Sequence, residues 1–447
     1  MEKAKTIAQI DKVIANGRPL EMDEINNFYY DADKAREKLS ARRKLMNQII
    51  GKTEAQQNGH FLFVGSTGSG KSTELHYLQK DLEKDFAVVS YSIFTELNPQ
   101  SINYVELFIV QMEKLFTYAK EQQLYIDPNL LQRITDWTKT EEIEKVKDKH
   151  FSAEASAGMN AKVGIPYLQE LFFKLKGVAK TTQSFKTTIK QNIEPKLGDL
   201  IGFGNELIAD IRMKMQEQGK KDIIILVDDI EKIELKLAQD LFYDHAQQLV
   251  QLNISIVYVF PVWLYYHIRF KAVRNFFTDV VELPMIKVTE KDGTPYETGI
   301  DALRQMVYKR MDKDLFASTD ILTYFINMSG GVIRDLFNMI SDAAYYDKEM
   351  EHPIITEDGF TYSFQQLKKE YDNTIADYMD ADGKVTHKAD EYYQALVELV
   401  NNPKKAIDNS EIAMHLRQNL CVLSYNGEGW CDVHPVMKKI LEARGKL

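Results

Sequence analysis

The eight residues GSTGSGKS, Gly65 to Ser72, constrain this chain more than any other stretch. They follow the unbroken apolar run FLFV (61–64) and lead straight into the helix-patterned TELHYL (73–78). Three glycines give the turn conformations that side-chained residues resist. A strand apolar on both faces must be buried on both faces, so helices have to cover the sheet to which it belongs. Four more runs of this kind are expected as strands, at 87–93, 223–227, 254–260 and 280–288, with helical patterns between them. Strands alternating with helices predict an α/β chain, an αβα sandwich around a parallel five-stranded sheet.

The loop matches G-x-x-x-x-G-K-[ST] in the context that gives the motif meaning, strand before and helix after. Its main-chain N–H groups can converge on phosphate oxygens, and the helix N-terminus adds its positive dipole end. The expected nucleotide-binding residues are Gly65, Ser66, Thr67, Gly68, Ser69, Gly70, Lys71, Ser72 and Thr73. Lys71 is expected at the β- and γ-phosphates of ATP, and the Ser72 hydroxyl at Mg²⁺. A second carboxylate is needed for the metal, and IIILVDDIEKI offers Asp228 and Asp229 at a strand end. Asp228 is assigned to the magnesium, Asp229 to orienting or deprotonating the attacking water. Aspartate is shorter than glutamate, so slow ATP hydrolysis is expected.

The sequence has 447 residues, enough for two to four domains, and a net charge of −10, which argues against general coating of nucleic acid or anionic lipid. The longest apolar run, Ile256 to Tyr266, is too short to span a bilayer, and the N-terminal residues lack the apolar core of a signal peptide. Only two cysteines, Cys421 and Cys431, are present, so a reducing, cytoplasmic setting without integral membrane association is expected. A zinc site from His415, Cys421, Cys431 and His434 is disfavoured, because the ligand pairs lack zinc spacing.

Domain boundaries follow from changes of pattern. Residues 1–57 are expected as an N-terminal helical segment and 58–288 as the phosphate-binding core, with an insertion at about 137–187. Residues 289–375 are expected as a helical lid. Residues 376–447, helices followed by the hairpin pattern CVLSYNGEGWCDVHP and a last helix, are expected as a winged-helix-like domain. Within 171–196 six lysines stand against one glutamate, for which a solvated amphipathic helix is the plainest expectation.

From the loop, the LVDD strand end, the order of strands and the later SGGVIRDLFNMI, the chain resembles P-loop ATPases of the AAA+ and STAND type. The likeness is to the origin-recognition branch and covers about residues 28–447 apart from the insertion. MSGGVIRDL superficially resembles an ABC-transporter signature, but it lies after the acidic strand rather than before it. The AAA+/STAND resemblance implies that Arg334 is the lid arginine at the γ-phosphate. It implies that Arg274, with Arg269 as competitor, is a finger given to a neighbouring subunit, and hence a homo-oligomer. It implies that His434 touches the nucleotide's phosphate from the C-terminal module. Tyr29, Tyr30 and Arg36 fall where such ATPases cover the adenine, with a packed linker the better expectation. The polar residue usual at the end of the fourth strand is missing: Val259 and Phe260 stand there, and Tyr258 is expected in the core. The implied role is an ATP-dependent oligomeric switch with a protein partner or effector, of a kind found in bacterial antiviral defence. A DNA-binding initiator or transposition-type ATPase, and a non-hydrolysing scaffold, stay open as alternatives.

Overall fold

The structure, a computed structural model, describes residues 2–14, 17–37, 39–139, 164–181, 192–379, 383–425 and 430–447. The central sheet contains β1 (His60–Gly65), β2 (Ala87–Ser92), β3 (Ile223–Asp228), β4 (Ser255–Pro261) and β5 (Asp279–Glu282). All neighbours are parallel and the order is β2-β3-β4-β1-β5. β1 and β3 therefore flank β4, and their C-terminal ends open on the same edge.

Alternation along each strand sends side chains to opposite faces. Phe61, Phe63, Ile224, Leu226, Val257 and Val259 pack with α1 (Ala41–Glu54) and α2 (Lys71–Leu82). Leu62, Val64, Ile225, Val227, Ile256, Tyr258 and Phe260 face the other way. There they meet α3 (Tyr104–Glu121), α4 (Pro128–Trp137), α5 (Ile165–Thr181) and α6 (Leu197–Glu217). Each fully buried side chain of this size contributes roughly 1.5–3 kcal/mol, so the two-sided burial fixes the sheet between its helical layers.

The expected insertion is in part a core element. Leu168, Leu171, Phe172 and Leu175 of α5 are buried, and Phe172 stacks on Phe116 of α3 with ring centroids 5.6 Å apart. Residues 140–163 and 182–191 of that region lie outside the described residues. The expected solvated basic helix is also partly inward-facing. Lys176 is buried, bridging Glu96 at 2.5 Å and Glu113 at 3.1 Å, while Lys174 pairs with Glu170.

β5 stops at Glu282, short of the expected 280–288 strand. Pro284 has no N–H to give a ladder, and Met285, Ile286 and Val288 turn instead into a third core. That core joins residues 4–35 to α7 (Glu297–Arg310), α8 (Thr319–Ser329), α9 (Ile333–Glu349) and α10 (Glu357–Asp372). It continues into α11 (Ala389–Asn401), α12 (Glu411–Gln418), the hairpin β6 (Val422–Tyr425) and β7 (Trp430–Val433), and α13 (Pro435–Ala443). The N-terminal residues thus divide: 4–35 bury themselves with α7–α10, whereas α1 packs under the sheet. Met414 of α12 departs from its neighbours and joins the sheet-side core. No helix among the described residues is long and apolar enough to cross a membrane.

Candidate functional site

β1 delivers the glycine loop at the sheet's C-terminal edge. Gly68 (φ 74°) and Gly70 (φ 98°) occupy the left-handed region, where a side chain is strained. A Cβ on Gly68 would also lie 2.6 Å from a methyl of Val332, and the Gly68 carbonyl accepts from Ile333 N at 3.0 Å. The N-terminus of α9 is therefore seated on the loop itself. Arg36, buried, braces the loop from behind by donating to the carbonyls of Ser69 (2.8 Å) and Pro284.

Lys71 has a buried side chain whose ammonium donates to the Ser66 carbonyl at 3.0 Å and pairs with Glu231 at 3.2 Å. The Ser72 side chain acts on the Asp228 carboxyl and favours its charged form. Burial, with Glu231 and Asp229 nearby, pushes the Asp228 carboxyl up to about 6. Carboxylate oxygens of Asp228, Asp229 and Glu231 lie within 4.8 Å of one another. Asp229, left-handed at φ 65°, is turned toward β2: Ser92 Oγ and Lys232 Nζ both reach it at 2.5 Å. The carboxylate facing Lys71 is Glu231, with its Oε2 buried and unpartnered. The sequence reading did not single out Glu231; its only local signal is a third acid three positions after Asp228.

Hard oxygen donors suit magnesium. The serine hydroxyl against a buried carboxylate, with an unpartnered carboxylate oxygen close by, fits that ion. Ser72 and Asp228 would hold it, and bound there it would offset the charge of phosphate oxygens.

Three arginines from distant segments complete the cleft. Arg18, Lys71, Arg310 and Arg334 line it, with Glu231 as the one lining carboxylate among the described residues. Arg334 reaches it because α9 starts on the loop; a Cβ on Gly17 would sit 3.0 Å from Arg334 Cγ. Arg18 is carried by the N-terminal segment, which is stitched to α2 by Leu20 N donating to Thr73 Oγ1 (3.1 Å) and by the Leu20 carbonyl at His76 Nδ1 (2.7 Å). Arg18 itself forks onto Glu24 at 2.5 and 2.7 Å. Arg310, the last residue of α7, has its guanidinium 4.1 Å over the Phe337 ring. Burial pulls its pKa down to about 10. Neither Arg18 nor Arg310 carried a sequence signal, since nothing local marks a residue that meets the loop only through folding.

A second compartment adjoins the first through Gly70, Thr73, Arg310 and Ile333, and is lined by Leu20, Phe28, Tyr29, Tyr30 and Met306. The aromatic part of its wall suits a flat base, beside the charged Arg36 and Glu74, which also line it. Tyr29 is anchored there, donating to Glu74 at 2.9 Å and meeting Tyr77 edge-on at 4.7 Å. A roomier cleft of about 540 Å³ lies between residues 234–236 and the C-terminal helices. It has no phosphate loop, so the glycine-loop cleft is the nucleotide candidate.

Other expected residues lie elsewhere. Arg274 donates to the Phe277 carbonyl (3.0 Å) and pairs with Asp279 (2.9 Å) at the start of β5, the sheet edge opposite the loop. Arg269 pairs with Asp244. His434 is fully buried and is not brought to the cleft. It caps α13 through Val436 N, stacks on Tyr371 at 4.4 Å, and faces the Ser329 carbonyl (3.2 Å) and Asp335 (3.4 Å). Capping and packing hold the ring against Asp335, the residue after Arg334. Tyr258 is a core residue bonded to the Leu249 carbonyl, and β4 ends in the buried Phe260 and Pro261, followed by the buried Val262, with no polar side chain. Cys421 and Cys431 are free and buried. His415 bonds Tyr392, and no metal cluster forms among these four residues.

The parallel sheet in this order, a glycine loop at the end of β1, and an acidic end on β3 across from it define a P-loop NTPase α/β sandwich. No family model and no curated protein matches the sequence. Among solved structures, it is similar to the Aeropyrum pernix ORC2 protein in its ADPNP–ADP complexes, at 9% identity, covering 91% of this chain and 94% of that one, with a TM-score of 0.38. It is also similar to Cdc6p of Pyrobaculum aerophilum (12% identity; 93% and 99% covered; TM-score 0.38). A third is the Walker-type ATPase paby2304 of Pyrococcus abyssi (10%; 95% and 98%; 0.41).

Proposed function

We propose that this protein binds Mg·ATP in the cleft between the glycine loop and α9, hydrolyses it slowly, and uses the cycle as an oligomeric switch. One observation carries the reading: the Lys71 ammonium is held at 3.2 Å from Glu231, beside the Ser72–Asp228 pair. This is a cation stored where an incoming phosphate claims it. Arg334 supplies a forked donor to the terminal phosphate from α9. Glu231 is the carboxylate in place to orient a water once Lys71 turns to phosphate, while Asp229 stays with Ser92 and Lys232. The apolar end of β4 removes one polar contact and favours slow turnover.

The switch half of the reading rests on the C-terminal helices, which we read as a winged-helix-like module. Met414 of α12 packs into the sheet-side core, and Arg417 lies 4.8 Å over the Tyr266 ring. The module is thus closed on the core, and its buried face is what opening would release to a partner or effector. To serve as a finger for a second copy, Arg274, on the opposite sheet edge, has to leave the Phe277 carbonyl and Asp279. A setting in bacterial antiviral defence rests on the sequence resemblance alone.

A DNA-binding reading is less favoured. α12, the helix that a winged-helix module would lay in a groove, is buried against the core. The adjoining cleft on the module is lined by Glu391, Glu398 and Asp408, a sign of charge that repels phosphate. Titration calorimetry with Mg·ATP on the intact protein is expected to give uptake of one nucleotide per chain, lost in Lys71→Ala. Phosphate release then separates a switch from a silent scaffold. Uptake that survives Lys71→Ala, with oligomeric state unchanged, rejects the proposal.

A further inference from the structure

One cation of the cleft, Arg310, has no ion-pair partner among the described residues. Arg310 is buried, and its Nε has no hydrogen-bond partner. Among the described residues no carboxylate or carbonyl pairs with its guanidinium. The carboxylate of greatest influence on it is Glu24, but both Glu24 oxygens are taken: Arg18 donates to each, and Glu21 N donates to one at 3.0 Å. Arg18 adds like charge that disfavours the Arg310 cation. The Phe337 face offsets only part of the desolvation. Arg36, equally buried, shows the contrast, since two carbonyls receive it.

A buried, underpaired guanidinium is costly. Arg310 is also one of four residues that line both the phosphate and the base compartments. It stands over Phe337, one helical turn beyond Arg334 on α9, so the two arginines reach the cleft from α7 and α9 together.

We infer that Arg310 is a phosphate-binding residue of the nucleotide site, and that the nucleotide supplies the counter-ion the empty fold leaves out. The inference rests on the ATP-binding reading and extends it to a residue outside the loop, the acidic strand and the start of α9. It predicts opposite signs for two measurements. Removing the charge relieves the nucleotide-free protein, yet weakens the complex.

The test compares wild type, Arg310→Met and Arg310→Lys. Methionine keeps an apolar stem against Phe337 and removes the charge; lysine keeps the charge and loses the fork. Thermal unfolding without nucleotide is expected to give Arg310→Met a midpoint equal to or above wild type. Calorimetry with Mg·ATP is expected to show its affinity lowered about 10- to 100-fold, the worth of a charge-assisted hydrogen bond, with Arg310→Lys between. A structural arginine predicts the reverse: Arg310→Met unfolds early or fails to fold, or folds and binds Mg·ATP as wild type does, and any of these overturns the inference. Folded wild type that takes up no Mg·ATP at all would instead overturn the parent reading, so the two failures are distinguishable.

Discussion

Replacing Lys71 by methionine should do more than remove a phosphate ligand. It should destabilise the nucleotide-free protein, by an amount that depends on pH. In the empty site Lys71 is the partner of Glu231; their side chains are only 2% and 6% exposed. Without it, Glu231 is left within 4.8 Å of Asp228 and Asp229, and the nearby Lys232 is already committed to Asp229. Breaking a buried pair by removing one partner costs about 3–5 kcal/mol. The cluster can relieve that cost by taking up a proton, and the Asp228 carboxyl is already pushed up to about 6. A carboxyl whose folded pKa is raised above its unfolded value binds more protons in the folded state, so it costs stability as pH rises from about 4 to about 6 and beyond. The loss in Lys71→Met should therefore be largest near pH 8 and shrink below about pH 6. Urea unfolding in EDTA, without nucleotide, measures it at both pH values. The double variant Lys71→Met/Glu231→Gln should recover most of the loss, with a coupling of about 2–3 kcal/mol. Lys71→Met as stable as wild type at pH 8, or no recovery in the double variant, refutes the reasoning.

In phosphate release, Glu231→Gln should lower turnover about 10²- to 10⁴-fold while Mg·ATP affinity is kept or improved, because Lys71 is freed from its partner; Asp229→Asn should cost turnover less. Gly68→Ala combines a left-handed φ with a contact 2.6 Å from Val332, and should cost about 1–3 kcal/mol, seen as a lower unfolding midpoint and weaker nucleotide uptake. Arg417→Ala removes the stacking on Tyr266, worth about 0.5–2 kcal/mol; limited proteolysis should cut between α10 and α11 faster than in wild type, and an unchanged rate counts against the closed-module account.

Much of this architecture was legible because it is written locally. Strand runs announced a two-sided sheet, since continuous apolar patterning survives only where both faces are covered. They overreached at 280–288, where Pro284 ends the ladder and the following residues feed another core. The interrupted patterning of 137–187 suggested an insertion, yet Leu168, Leu171, Phe172 and Leu175 of α5 are core residues. Of the two adjacent aspartates, the sequence assigns Asp228 to the magnesium and Asp229 to the attacking water. A left-handed turn at Asp229 swings it to Ser92 and Lys232, and brings Glu231 around to the lysine.

By itself, the amino-acid order determined the strand, the glycine loop, Lys71 with Ser72, and an acidic strand end to face them, because these depend on neighbours in the chain and on side-chain period. Tertiary structure alone decided that Arg18 and Arg310, 292 residues apart in the chain, share one cleft with that loop and with Arg334. It also decided that His434 is sealed behind the cleft rather than inside it. Such convergence is set by how cores bury one another, and no short window of sequence holds that information.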